Sequence, residues 1–296
     1  MPEPVYVWNN IDVSPFLALR DNIPFKLDDV IGSEHIIGYL RRELFLTDEQ
    51  FQFMRSLGLT KNHSYLFFGL PGSGKTRLMF ALADAYQKHY GNVPVIDVNC
   101  AAMCEGYVGK TEANIEALFA FAGQFERCVM ILDEFEAIGY DRARDTIDPI
   151  NHCVPALIRG IQGFVRSDTH LLLASLVHPD EVDPALPMRF AMQFEVTPLT
   201  YEGILKRLEK EIGRHCDTSV DLQHLAASLK EKIITHYDLD RFIKNLKTAL
   251  FEEVMRNRGD KIDAALAERI LQNAESTIRQ KDLDVLEAYK QKHYNN

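Results

Sequence analysis

Two hydrophobic rhythms divide the chain. Up to about residue 200, short apolar runs alternate with stretches of helical spacing. Tyr65–Phe68, Val95–Val98, Val129–Leu132, Leu171–Ser175 and Phe194–Val196 read as strands. Between them, Thr76–His89, Glu112–Ala122 and Asn151–Phe164 read as helices. Strands separated by helices of this length imply a parallel sheet with helices on both faces. The near-continuous apolar runs fit strands buried on both sides. After Pro198 the pattern changes. Glu202–Arg214, Asp221–Glu231, Leu239–Arg256 and Asp263–Arg279 all carry helical spacing, and no strand candidate follows. Asp221 and Asp263 are N-cap candidates. A second, all-helical domain is therefore expected from about residue 200. Gln280–Asn296 is polar, with one amphipathic turn, and is expected to fray.

Composition adds little to this picture and excludes some classes. The 296 residues are 46% hydrophobic and 26% charged, ordinary for a globular protein with a sizeable core. Thirty-three Lys and Arg against 43 Asp and Glu leave a net charge of −10, which argues against a protein that coats nucleic acid. No run reaches the ~18 apolar residues of a membrane span, and Met1–Asn10 does not read as a signal peptide. Cys100, Cys104, Cys128, Cys153 and Cys216 are scattered and odd in number. They read as reduced thiols of a cytoplasmic protein, and no second ligand pair supports zinc.

The chemistry concentrates in two places. Gly69-Leu70-Pro71-Gly72-Ser73-Gly74-Lys75-Thr76 matches G-x-x-x-x-G-K-[ST] in full, after a predicted strand and at the start of a predicted helix. Glycines let backbone N–H groups turn inward around anionic oxygens, and the helix N-terminus adds its positive end. Lys75 then reaches the β- and γ-phosphates of a nucleotide, and the Thr76 hydroxyl can ligate Mg²⁺. The second place is Val129-Met130-Ile131-Leu132-Asp133-Glu134. An apolar strand ending in two carboxylates delivers them to the carboxyl edge of a parallel sheet, where ligands bind. Asp133 is expected to hold Mg²⁺ and Glu134 to polarise the attacking water.

These motifs resemble the AAA+ ATPases, in the AAA branch of proteasomal, microtubule-severing and membrane-protease unfoldases. The resemblance covers about residues 25 to 260. Phe25–Gly32 resembles the branch's opening stretch, whose backbone, here at Ile31 and Gly32, cups the adenine. Pro71, Gly72, Ser73, Gly74, Lys75, Thr76 and Arg77 fall on the phosphate-binding positions. Asp133–Gly139 resembles the Walker B run, and His178–Leu186 the second region of homology. Cys104-Glu105-Gly106-Tyr107-Val108-Gly109 is similar to the substrate-gripping pore loop, with Tyr107, Val108 and Gly109 as the aromatic–aliphatic–Gly triplet. The resemblance implies a five-stranded parallel α/β domain over residues 25–199 and a helical lid over 200–279. An N-terminal arm (1–24) and a C-terminal tail (280–296) flank them. It also implies ATP with Mg²⁺, a homo-oligomeric ring of six subunits and a protein substrate. With about 25 residues ahead of the module and no His-Glu-x-x-His, neither a folded recruiting domain nor the family's protease domain is expected.

Several positions depart from the family pattern. The polar Asn that orients water in this branch is replaced by Val177, which has no side-chain hydrogen-bonding group; Ser175 lies nearby. One arginine, Arg189, stands where the family has a pair that reaches the neighbouring subunit's phosphate. In the lid, Asp238-Leu239-Asp240 replaces a small-residue stretch. Arg241 follows, resembling the arginine that touches the γ-phosphate in cis in other branches. Three functions stay open: a ring ATPase that remodels or threads protein, an ATP-dependent assembly switch with slow or absent hydrolysis, and a DNA-linked loader. Val177 favours the second and Glu134 speaks against it. The acidic charge and the Tyr-Val-Gly loop speak against the third.

Overall fold

The computed structural model describes residues 5–8, 10–59, 63–104, 109–139, 153–256 and 259–294. The chain divides into two units. One comprises residues 1–30, 34–69 and 75–195; the other comprises 31–33, 70–74 and 196–296.

The first unit opens with β1 (Val7–Trp8) paired antiparallel to β2 (Ile11–Asp12), then β3 (Leu17–Leu19), α1 (Glu34–Leu44) and α2 (Asp48–Ser56). It continues through β4 (Ser64–Phe68), α3 (Lys75–Tyr90), β5 (Val95–Asn99), α4 (Cys100–Met103) and α5 (Lys110–Ala122). β6 (Cys128–Asp133), α6 (Cys153–Phe164), β7 (His170–Leu176) and β8 (Met192–Glu195) complete it. The main sheet has the order β3-β5-β6-β7-β4-β8. The strands from β5 to β8 run parallel, as the alternation of strands and helices predicts. Every residue of β4 and β7 is buried, as are the first five of β6. That burial is the structural meaning of the unbroken apolar runs.

The expected five-stranded sheet needs one correction. A sixth strand, β3, lies antiparallel along β5, with Leu17 opposite Val98 and Leu19 opposite Ile96. It comes from the segment expected as an N-terminal arm. Phe16 is buried, and its carbonyl accepts the Asn99 N–H at 2.9 Å. Tyr6 sets its ring 5.7 Å from that of Phe121.

The second unit is helical: α7 (Tyr201–Ile212), α8 (Leu222–Glu231), α9 (His236–Met255), α10 (Ala264–Gln272) and α11 (Gln280–Tyr294). Its core gathers Leu208, Leu225, Leu229, Leu239, Phe242 and Leu246. Asp221 and Asp263 cap α8 and α10, as their positions predict. α9 starts three residues before the predicted Leu239. Thr235 and Asp238 form a reciprocal capping box there, which pulls the first turn upstream. α10 ends at Gln272, short of the predicted Arg279. Lys232 Nζ caps the carbonyls of Leu271 and Ala274 at 2.8 and 2.7 Å, and Asp238 draws in the Thr277 N–H and hydroxyl at 3.2 Å. The tail expected to fray is instead helical in α11, with Leu286 and Tyr289 buried. No described helix is long and apolar enough to cross a membrane.

Candidate functional site

The order of the central strands brings three chain positions side by side. β7 lies between β6 and β4, with Leu132 opposite Ala174 and Phe68 opposite Leu176. The carboxyl ends of β6, β7 and β4 therefore present Asp133, Ser175 and the start of the Gly-rich loop on one edge, where parallel sheets bind ligands.

Lys75 opens α3 and is 5% exposed, with Nζ donating to the Gly69 carbonyl at 2.8 Å. Burial lowers its ammonium to about 8; Glu136, Asp133 and Glu134 pull the other way without restoring the usual value. A buried cation flanked by acids and backbone is poised for a strongly anionic ligand. The Thr76 hydroxyl donates to Asp133 Oδ2 at 2.7 Å, so the two residues expected to serve a metal meet directly. The other oxygen, Asp133 Oδ1, accepts the hydroxyl of Ser175, and the same Oγ receives the Glu134 N–H at 3.0 Å. Glu134 follows at the exposed tip with φ 49° and ψ 50°, a left-handed conformation uncommon for glutamate. Glu136 Oε1 accepts the N–H groups of Val177 and His178 at 2.9 and 3.3 Å.

In the second unit, Gly72 and Gly74 adopt φ of +69° and +96°. A Cβ on Gly72 would stand 2.8 Å from Thr235 Oγ1, and one on Gly74 would stand 3.1 Å from the His236 ring. Glycine is therefore required twice, by backbone sign and by space. His236 N–H donates to the Gly72 carbonyl at 3.0 Å. Ser73 is 1% exposed, and its Oγ has no hydrogen-bond partner among the described residues. Pro71 lies in the same loop. Ile31 joins the helical core, and Gly32 (φ +88°) lies against Leu199.

The remaining expected residues lie elsewhere. The Arg77 guanidinium sits 5.4 Å from the centre of the Phe25 ring. Arg189 ends a 3-10 turn, Pro187–Arg189, with a buried Nε that has no partner among the described residues. Arg241 donates to the Glu275 carbonyl at 2.7 Å and pairs with Asp238 at 3.4 Å. Tyr107 and Val108 lie outside the described residues; Gly109 is described, with φ +83° at the N-cap of α5. Sequence reasoning passed over Glu136 and named Ser175 only as a neighbour of Val177. The signal for Ser175 was available: it is the one hydroxyl in the Leu-Leu-Leu-Ala-Ser-Leu run, close to the carboxyl end of a strand.

Residues 65–198 match the family described as ATPase family associated with various cellular activities (AAA). The AFG3L1 component of the mitochondrial inner membrane m-AAA protease of Mus musculus is 31% identical over 192 residues, 62% of this chain and 23% of that protein. Residues 65–198 are an AAA domain, and the relatives support an AAA+ ATPase of the AAA branch. The proteasome-activating nucleotidase of Pyrococcus abyssi is 28% identical over 212 residues, 70% of this chain and 52% of the nucleotidase. The ATP-dependent zinc metalloprotease FtsH of Aquifex aeolicus is 28% identical over 220 residues, 71% and 33% respectively. The chain thus spans from about a quarter to about half of these relatives' lengths. The matched family is one of ATPases, and it supports ATP hydrolysis as the chemistry of this domain.

Proposed function

We propose that the chain is the ATPase subunit of a cytoplasmic homo-oligomeric ring, a hexamer, which spends ATP·Mg²⁺ hydrolysis on remodelling or threading a protein substrate. The observation that carries the nucleotide part is the meeting of Thr76 Oγ1 and Asp133 Oδ2 beside a buried, acid-flanked Lys75. A hydroxyl and a carboxylate are the hard oxygen donors that Mg²⁺ prefers, so the residues present fit the ion. Thr76 would ligate it directly and Asp133 would hold it through water. When bound, Mg²⁺ neutralises charge on the phosphate oxygens.

The chain's own residues account for the rest of the reading. Lys75 binds the β- and γ-phosphates, and the N–H groups of the 71–77 segment turn around their oxygens. Glu134 accepts a proton from the attacking water. Arg189, whose buried Nε has no partner among the described residues, is the arginine offered to a neighbouring subunit's phosphate. The protein-directed part draws on the relatives, named as a protease component, a proteasome-activating nucleotidase and a metalloprotease. It also draws on the Tyr107-Val108-Gly109 triplet.

Tyr107→Ala tests it. If Tyr107 grips substrate, basal ATP hydrolysis and the size of the assembly, measured by light scattering, stay at wild-type values. Stimulation of the ATPase by an unfolded model protein such as reduced casein disappears. A stable variant that casein stimulates as before refutes threading. The assembly switch is favoured by one observation, the apolar Val177. It predicts nucleotide-dependent assembly with turnover that no protein stimulates.

A further inference from the structure

The buried end of β7 carries one hydroxyl among apolar residues. Ser175 is 0% exposed, and burying a hydroxyl costs free energy unless it is well bonded. It is bonded on both sides: its Oγ donates to Asp133 Oδ1 and accepts the Glu134 N–H. Asp133 is therefore held through both carboxylate oxygens, one by Ser175 and the other by Thr76. That fixes the plane of the carboxylate, where a single bond would leave it free to rotate.

The second bond matters because of the backbone it holds. Glu134 has positive φ, a conformation that costs a non-glycine residue free energy and persists only when its surroundings enforce it. Its N–H is not part of a strand ladder or helix cap; Ser175 Oγ receives it. The direction in which the Glu134 side chain leaves the sheet edge is thus tied to the Ser175 hydroxyl. Two residues on, Val177 contributes only its backbone N–H, to Glu136. The side-chain polar contact from the β7 end to the Walker B acids comes from Ser175.

We propose that Ser175 is a positioning residue for ATP hydrolysis. It acts through Asp133, whose carboxylate plane it sets, and through Glu134, whose backbone it holds in the conformation that aims the carboxylate at water. This rests on the reading of Glu134 as the residue that activates water.

A matched pair of variants separates the hydroxyl from the volume: Ser175→Thr keeps the hydroxyl and Ser175→Val has nearly the same shape without it. Ser175→Ala removes the hydroxyl with the least disturbance of packing. The expected result is a fall in kcat of about tenfold or more for Ala and Val, with Thr retaining most of the wild-type rate. ADP affinity measured by calorimetry without Mg²⁺ stays within about twofold of wild type for the Ala variant, since Lys75 and the glycine loop are untouched. In a Glu134→Gln background, Ser175→Ala lowers the residual rate by much less than it does in the wild-type background, because the two act as one unit. Equal rates for Thr and Val, an unchanged kcat for Ala, or a full multiplicative loss in the Glu134→Gln background would each overturn the proposal. A Glu134→Gln variant that hydrolyses like wild type would instead overturn the underlying reading of Glu134.

Discussion

Lys75 is a cation stationed where water scarcely reaches it, and its pH behaviour follows. In the folded chain its ammonium titrates near 8, because burial outweighs the pull of Glu136, Asp133 and Glu134. Unfolded, a lysine titrates near 10.4. Between those values the unfolded chain holds more protons than the folded one, so this group makes stability rise with pH from about 8 to about 10. Below 8 both states carry the proton, and the cost of burying the charge is fully present. A bound triphosphate favours the charged amine, so binding above pH 8 takes up a proton. Calorimetry of ADP binding at pH 8.5 in two buffers of different ionisation heat should show net uptake that vanishes at pH 7. Equal apparent enthalpies in the two buffers at pH 8.5 would mean that Lys75 is charged throughout. The identity of this lysine was legible because a P-loop is one contiguous stretch of chain. The partnership of Ser175 with Asp133 was not, because it depends on β7 lying between β6 and β4, and strand order is not written in any single segment.

Among the elements, the short strands near the start of the chain were the least legible. β3 is three residues, Leu17–Leu19, and gains its identity only from pairing with β5. No periodicity can be read from so short a run. β6 and β7 announce themselves because they are buried on both sides and carry nearly continuous apolar runs. The helix pair α5 and α6 shows a constraint that patterning alone does not reveal. A Cβ on Gly160 would stand 2.2 Å from Cδ2 of Phe119, closer than real atoms approach. The absent side chain is what lets the Phe119 ring come so close to α6 at Gly160. Gly160→Ala gains helix propensity but must displace a nearly buried ring, and overpacking of this kind costs roughly 1–3 kcal/mol. Urea unfolding should show a lower midpoint at constant m-value. A midpoint at or above wild type would show that Phe119 turns aside freely.

At the scale of the whole molecule, the nearest test of the ring is complementation across subunits. Arg189→Ala and Glu134→Gln should each abolish most ATP turnover while leaving nucleotide binding intact. Mixed before assembly, the two variants should regain activity, because some interfaces then join an intact Glu134 on one subunit to an intact Arg189 on the next. A mixture no more active than its components would place Arg189's action within its own subunit. The net charge of −10 keeps such subunits soluble but contributes no affinity for a phosphate backbone.

The strand formed by Leu17–Leu19 carries a consequence for how the protein can be shortened. On its inner side it occupies the hydrogen-bonding groups of β5, and Arg20 fastens it with two bonds to Asp97 at 2.9 and 2.7 Å. A chain starting at residue 25 would keep the entire Gly-rich loop and both Walker acids, yet its sheet would end on β5, an unguarded row of amides and carbonyls. Such a row is a template for any extended segment that meets it. The shortened protein should bind ADP as tightly as the full chain when dilute, and form thioflavin-positive, sedimenting aggregates as its concentration rises. A shortened chain that stays dispersed at every concentration would mean that β5 shields its own edge. If the shortened chain aggregates as expected, the first twenty residues serve as a gatekeeper of solubility, silent in any assay of catalysis.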